Sequence, residues 1–209
     1  MYAVGHIALG HVVGRIFGRL TGEEVNIPLV WLLSVVPDLD LLVRGLDHRG
    51  PSHSVVVAFV VFAPLLLFRF RKSFVYFAVL AAHSLIGDYF TGEVMLFWPF
   101  SHQDFVFPYL ISMISPLEVY LELALFVVFL GIFVFMRDFE QLLNARVESL
   151  LLLIPLGALG GSFLMMRHYS RALNVLVLPY LIIVLMIILS ISKSLFEGLF
   201  GSQRSSLRN

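Results

Sequence analysis

The chain contains no cysteine, and that absence removes disulfides, iron–sulfur clusters, thiolate zinc sites and cysteine nucleophiles together. Charge is scarce as well: 13% of the 209 residues are Asp, Glu, Lys or Arg, against about 25% in an ordinary soluble domain. Acids and bases balance to a formal net charge of zero, so no basic surplus points to nucleic acid. The first twenty residues lack the basic start and small-residue cleavage site of a signal peptide, so they are expected to belong to the mature chain. What fills the sequence is apolar. A hydrophobic content of 59% and a mean hydropathy of +0.94 describe an integral protein, multi-pass in the cell membrane, with membrane lipids as its immediate partners.

Apolar runs and breakers predict an all-α, polytopic helical bundle of about six to seven helical segments. Tyr2 to Leu20 carries Gly5, Gly10, Gly14 and Gly18 at spacings of four or five, as close helix packing in a bilayer favours. Asn26 is a candidate N-cap with Pro28 in the first turn, but Ile27 to Val36 rises only about 15 Å against a hydrocarbon core of about 30 Å. It is therefore expected to be a half-helix delivering Pro37 and Asp38 to intermediate depth. Ser54 to Phe68 and Ser73 to about Phe90 form an outgoing and a returning helix. TGEVMLFWPFSHQDFVFP has too many breakers to span and reads as a re-entrant or interfacial loop. Leu117 to Met136, Leu150 to Met166 and Leu176 to about Ser192 read as ordinary spans.

Polar residues concentrate in one place. The stretch PDLDLLVRGLDHRGPSHS puts Asp38, Asp40, Asp47, His48, Arg49 and His53 between two apolar segments, where an ionisable group is costly. Counting helix rises brings His6, Asp38, Asp40, His48, His53, His83 and Asp88 back to one end, while Arg15, Arg19, Arg69, Arg71 and Lys72 collect at the other. By the positive-inside rule the basic end is cytoplasmic, which puts the polar cluster on the non-cytoplasmic side. Imidazoles and carboxylates suit zinc, manganese or iron. His83 and Asp88 diverge by about 140° on an ideal helix, so both reach one ion only through a π-bulge or a kink near Gly87.

Plainer explanations stand beside these. Asp38 and Asp40 can cap a helix-end turn, and His48, Arg49 and His53 can belong to a solvated loop. Between His6 and His11, His6 is preferred as a ligand, with His11 a packed or hydrogen-bonded histidine near the site. Glu118 and Glu122 are expected to be structural, as acids at a helix N-terminus. The chain divides into a metal-site module over residues 1–110, further membrane helices of the same domain over 111–200, and a disordered tail over 201–209.

The motifs HRGPSHS, HSLIGDYFTG and WPFS, with the early His6 and Gly10 and the Pro-Asp-x-Asp of Pro37 to Asp40, resemble the YdjM-like family of predicted membrane-bound metal-dependent hydrolases. The likeness covers roughly residues 5 to 101. It implies a multi-span membrane protein with a metal-dependent hydrolase site on those His and Asp residues. The order of ligand types is also similar, more loosely, to zinc-dependent phospholipase C, a hint of phosphoester chemistry.

The expected activity is hydrolysis of a phosphoester or ester in a lipid-like substrate. One or two divalent ions, zinc first and manganese second, would be held by a subset of His6, Asp38, Asp40, His48, His53, His83 and Asp88 and would acidify a bound water. Asp40 or Asp88 would act as general base and Arg49 would hold a phosphate oxygen. The rival is a metal-ion or proton transporter, which needs polar residues on both sides of the midplane.

Overall fold

The computed structural model describes residues 1–108, 111–112 and 115–206. It is an all-α bundle, and no strand forms among the described residues; Val94 and Phe105 make one isolated antiparallel bridge. Helix α1 (Ala3–Thr21) runs through the middle of the bundle, which is what its glycines permit. A Cβ on Gly10 would stand 1.8 Å from Ser34 Oγ and one on Gly18 would stand 2.3 Å from Val25 Cγ2, so α2 (Ile27–Leu33) lies directly against α1. α1 ends at Gly22, whose φ of 72° supplies the left-handed turn and returns its N–H to Gly18 O.

Asn26 caps α2 by accepting a hydrogen bond from Leu29 N at 3.0 Å, and Pro28 occupies the first turn, as its sequence suggests. The helix lasts seven residues before a 3-10 turn over Pro37–Leu42. Ser54 caps α3 (Val55–Phe68), accepting from Val56 N and Val57 N while donating to Trp98 O at 2.7 Å. That bond ties the irregular 91–108 segment to the start of α3. Helix α4 (Phe70–Ala82) returns antiparallel.

At 1.5 Å per residue, the 14 residues of α3 cover about 20 Å, some two-thirds of a bilayer core, while α4 runs on without a break into a π-helix over His83–Asp88. Phe59, Val60, Val61, Leu65, Leu67 and Phe68 of α3 are exposed, an apolar face suited to lipid.

Three longer helical stretches do reach across: α5 (Pro116–Phe135), a 3-10 turn over Arg146–Leu152 continuing into α7 (Leu153–Met166), and Asn174–Leu199 within α8 (Ser170–Ser206). Their mean hydropathies are 2.3, 2.0 and 2.9, and only about a third of each is buried, so the rest is free to face lipid. Short helix α6 (Asp138–Leu143) lies between the first two. Residues 201–206 of the expected tail continue α8, and 207–209 lie outside the described residues. The core gathers around α1, with Ile7, Val30, Trp31, Phe129 and Phe133 almost fully buried. At its start, Ala3 N donates to Ser162 Oγ, which contacts Tyr180 OH at 2.6 Å, so α7 and α8 lock the N-terminal end of α1 in place.

Candidate metal centre

Four separate elements aim side chains at one point beside the start of α1. Pro37 opens the 3-10 turn that carries Asp38 and Asp40. A second 3-10 turn, Pro51–His53, places His53 immediately before the Ser54 cap of α3. The last turn after α4 widens into a π-helix over His83–Asp88, where residues five apart share a face, and this cancels the divergence an α-helix would impose. His6 enters from α1 over Gly87, where a Cβ would lie 2.6 Å from His6 Cε1.

The atoms that meet are ligand atoms. His53 Nε2 lies 3.2 Å from His83 Nε2, 3.2 Å from Asp88 Oδ2 and 3.4 Å from Asp38 Oδ1. His83 Nε2 is 3.0 Å from Asp88 Oδ2 and 3.5 Å from Asp38 Oδ1, while His6 Nε2 is 3.5 Å from Asp88 Oδ1 and 3.9 Å from Asp38 Oδ2. The rings of His6 and His83 stack at 3.7 Å. Ligands about 2.1 Å from a tetrahedral ion stand about 3.4 Å from one another, within the span of these separations.

The far sides of the imidazoles are held. His83 Nδ1 donates to Ser34 O at 2.7 Å, which leaves the lone pair on Nε2. His53 Nδ1 faces Ser52 Oγ at 3.0 Å and Asp40 Oδ2 at 3.3 Å. A metal-binding histidine is held in this way by a carbonyl or carboxylate at its other nitrogen. His6 Nε2 and Asp88 Oδ2 are buried with no hydrogen-bond partner, a costly arrangement that a cation between them would relieve. The donor set therefore fits a divalent cation.

Charge tells the same story. Burial by itself would raise the Asp38 carboxyl, but the charge on His6 and hydrogen bonds from His53 and His83 hold it well below the ordinary carboxylate range. Burial would likewise raise Asp40, and bonds from His53, Ser52 and His48 outweigh it downward. Burial disfavours the His53 cation, yet Asp38, Asp40 and Asp88 push its pKa up to about 10. Acids this concentrated draw a compensating positive charge to the centre, a role in which protons and metal ions compete.

Among the residues singled out in the sequence, His6, Asp38, His53, His83 and Asp88 converge directly. Asp40 stands behind them, accepting from His48 Nδ1 at 2.9 Å, Ser52 Oγ at 2.6 Å and Arg49 N at 3.2 Å. His48 is on the open side, its side chain 39% exposed. Arg49 donates to Asp88 Oδ1 at 2.8 Å and to Thr91 Oγ1 at 3.2 Å. Its own φ is 65°, and its guanidinium lies where a Cβ on Gly92 would be, 1.5 Å from Nη1. Glu122 accepts from Tyr2 N at 2.6 Å.

His11 joins a different cluster toward the basic end. Its Nε2 lies 2.9 Å from Asp138 Oδ2, its Nδ1 accepts from Trp31 Nε1 at 3.2 Å, and Arg15 grips both oxygens of Asp138. Sequence inspection alone passes over Asp138, which sits in a polar turn more than 120 residues from its partners, and the Ser34 carbonyl, which carries no side-chain signal.

A family model described as YdjM inner membrane protein matches residues 1–195. No curated protein and no solved structure matches the chain.

Proposed function

The chain belongs to the YdjM inner membrane protein family, and from that premise we propose that it is an integral membrane metal-dependent hydrolase acting on a phosphoester or ester bond of a lipid-like substrate. The observation that carries this is the meeting of three Nε2 atoms and two carboxylates, with the opposite nitrogens of His53 and His83 already occupied. Zinc suits this donor set best and manganese next. A divalent cation bound there supplies Lewis acidity and an acidified water.

The chain's own groups have distinct tasks. His6, Asp38, His83 and Asp88 would hold the cation, and His53 Nε2 lies at their edge, 3.2 Å from both His83 Nε2 and Asp88 Oδ2. Asp88 presents one oxygen to Arg49 and the other to the imidazoles, so Oδ2 is the atom that binds the ion or accepts a proton. Asp40 acts through His48 and His53, the rings it orients. Arg49 aligns Asp88 and brings positive charge to the place where a phosphoryl oxygen would sit. Leu41, Leu42, Val43 and Leu46 are exposed along the loop that leads from Asp40 to His48, an apolar rim fitted to a substrate arriving from the bilayer. The basic ends of α1 and of the α3–α4 turn favour a cytoplasmic location, with the centre in the opposite half.

The test is release of phosphate or fatty acid from defined lipids by purified protein reloaded with Zn²⁺ or Mn²⁺. Activity is expected for the native chain and lost in His53→Ala and Asp88→Asn. Stoichiometric metal without turnover on any phospholipid or acylglycerol would sink the proposal. Ion or proton translocation is the second reading, favoured by the buried His11, Asp138 and Arg15 lower on the same helix. Cation-dependent uptake into proteoliposomes that requires both Asp38 and Asp138 would promote it.

A further inference from the structure

We propose that the centre has two cation seats sharing Asp38, an inner one and an outer one completed by His48, and that the outer seat suits a phosphoryl group rather than a carboxylic ester. This rests on the metal-hydrolase reading above and deepens it. The ligand atoms of His6, Asp38, His83 and Asp88 all lie within 4.8 Å of one another, and so, separately, do those of Asp38, His48 and His53. Asp38 is common to both groups, and a carboxylate with two oxygens can serve two ions.

The two seats differ in exposure. His6, His83 and Asp88 are buried to 2% exposure or less and His53 of the outer group is fully buried, so the outer seat opens through His48, whose side chain is 39% exposed, beside the shared Asp38 at 19%. Three protein donors at a partly open place leave coordination positions for water and a substrate oxygen.

Asp40 supplies an independent argument. It is 4% exposed and divides its oxygens, Oδ1 taking His48 Nδ1 at 2.9 Å and Oδ2 facing His53 Nδ1 at 3.3 Å. Orienting an imidazole from behind is what a supporting carboxylate does for a metal ligand, and here one acid does it for two rings. A solvated loop histidine would not need that support.

Charge then selects the substrate class. Asp38, Asp40 and Asp88 stand against two cations that both reach Asp88 Oδ1, the Arg49 guanidinium at 2.8 Å and the Met1 ammonium at 3.7 Å. One divalent ion slightly overbalances these acids, and a second makes the cluster strongly cationic. A cationic, partly open site matches the dianion of a phosphoryl group and gives a neutral carboxylic ester no comparable attraction.

The experiment is Mn²⁺ titration of chelator-stripped, full-length protein, read by elemental analysis and low-temperature electron paramagnetic resonance. The native chain is expected to bind two ions with a spin-coupled spectrum. His48→Ala is expected to bind one with an isolated-ion spectrum while its melting curve stays cooperative. His48→Gln and the native stoichiometry serve if the alanine variant does not fold. Inorganic phosphate is expected to bind the loaded native protein roughly tenfold tighter than the loaded variant. A single ion in the native chain, or two ions retained without His48, overturns the inference and leaves a one-metal hydrolase standing. No bound ion at all removes the hydrolase reading with it. Equal phosphate affinity in both proteins overturns the phosphoryl assignment.

Discussion

Helix α1 carries two buried histidines five residues apart, and they live in opposite circumstances. His11 belongs to a closed set: Trp31 donates to one nitrogen, Asp138 faces the other, Arg15 holds both Asp138 oxygens, and Gln141 joins Arg15 to the Val25 carbonyl. Each member faces a group of complementary type, although His11 Nε2, 2.9 Å from Asp138 Oδ2, is not aligned for a hydrogen bond. His6 belongs to an open set in which three imidazoles and two carboxylates crowd one point and both its ring nitrogens are buried without a hydrogen-bond partner. The same residue types therefore make a clasp in one place and a receptor for positive charge in the other. What separates them is the balance of donors to acceptors, not burial.

That contrast is sharpest under deletion of an acid. Asp138→Ala leaves the buried His11 and the part-buried Arg15 without their anion and is expected to lose roughly 3 kcal/mol of stability whether or not metal is present. Asp38→Asn is expected to abolish stabilisation by Zn²⁺ while changing the metal-free protein far less, because it removes one of two acids facing each other. Thermal unfolding in detergent, with and without Zn²⁺, distinguishes them. Equal losses in the two variants would erase the distinction.

A smaller effect comes from a residue with no polar side chain. Gly87→Ala puts a Cβ 2.6 Å from the His6 ring and is expected to weaken cation binding roughly 10–100-fold, as disturbed metal surroundings commonly do. Gly131→Ala, where a Cβ meets nothing within 4 Å, serves as the control. Metal titration checks both, and unchanged affinity in Gly87→Ala would remove His6 from the ligand set. Smallest of all, Trp31→Phe deletes one hydrogen bond of the closed cluster. It is expected to cost about 1 kcal/mol of stability with cation affinity unchanged.

Much of the receptor was legible because its residues are expensive where they stand. Asp38, Asp40, His53, His83 and Asp88 interrupt apolar runs, and such interruptions are visible in one dimension. The half-helix α2 was legible from Asn26, Pro28 and a short apolar run, and the divergence of His83 and Asp88 named the π-turn as one way to unite them. The clasp was not legible in the same way. His11 looks like a neighbour of His6 along the chain, and its partner Asp138 is separated from it by the length of several helices. Backbone partners such as Ser34 O leave no mark in sequence at all, and the demand for glycine at positions 87 and 92 arises only when His6 and Arg49 arrive from elsewhere in the fold.

The brevity of α3 has a consequence for the surrounding bilayer. At about 20 Å, α3 is shorter than the neighbouring helices of about 30 Å, which creates hydrophobic mismatch along its flank. Lipids along that flank dip or splay to cover it, so the bilayer thins locally. By deforming its own solvent, the protein draws the two headgroup layers closer together beside α3 than elsewhere along its wall.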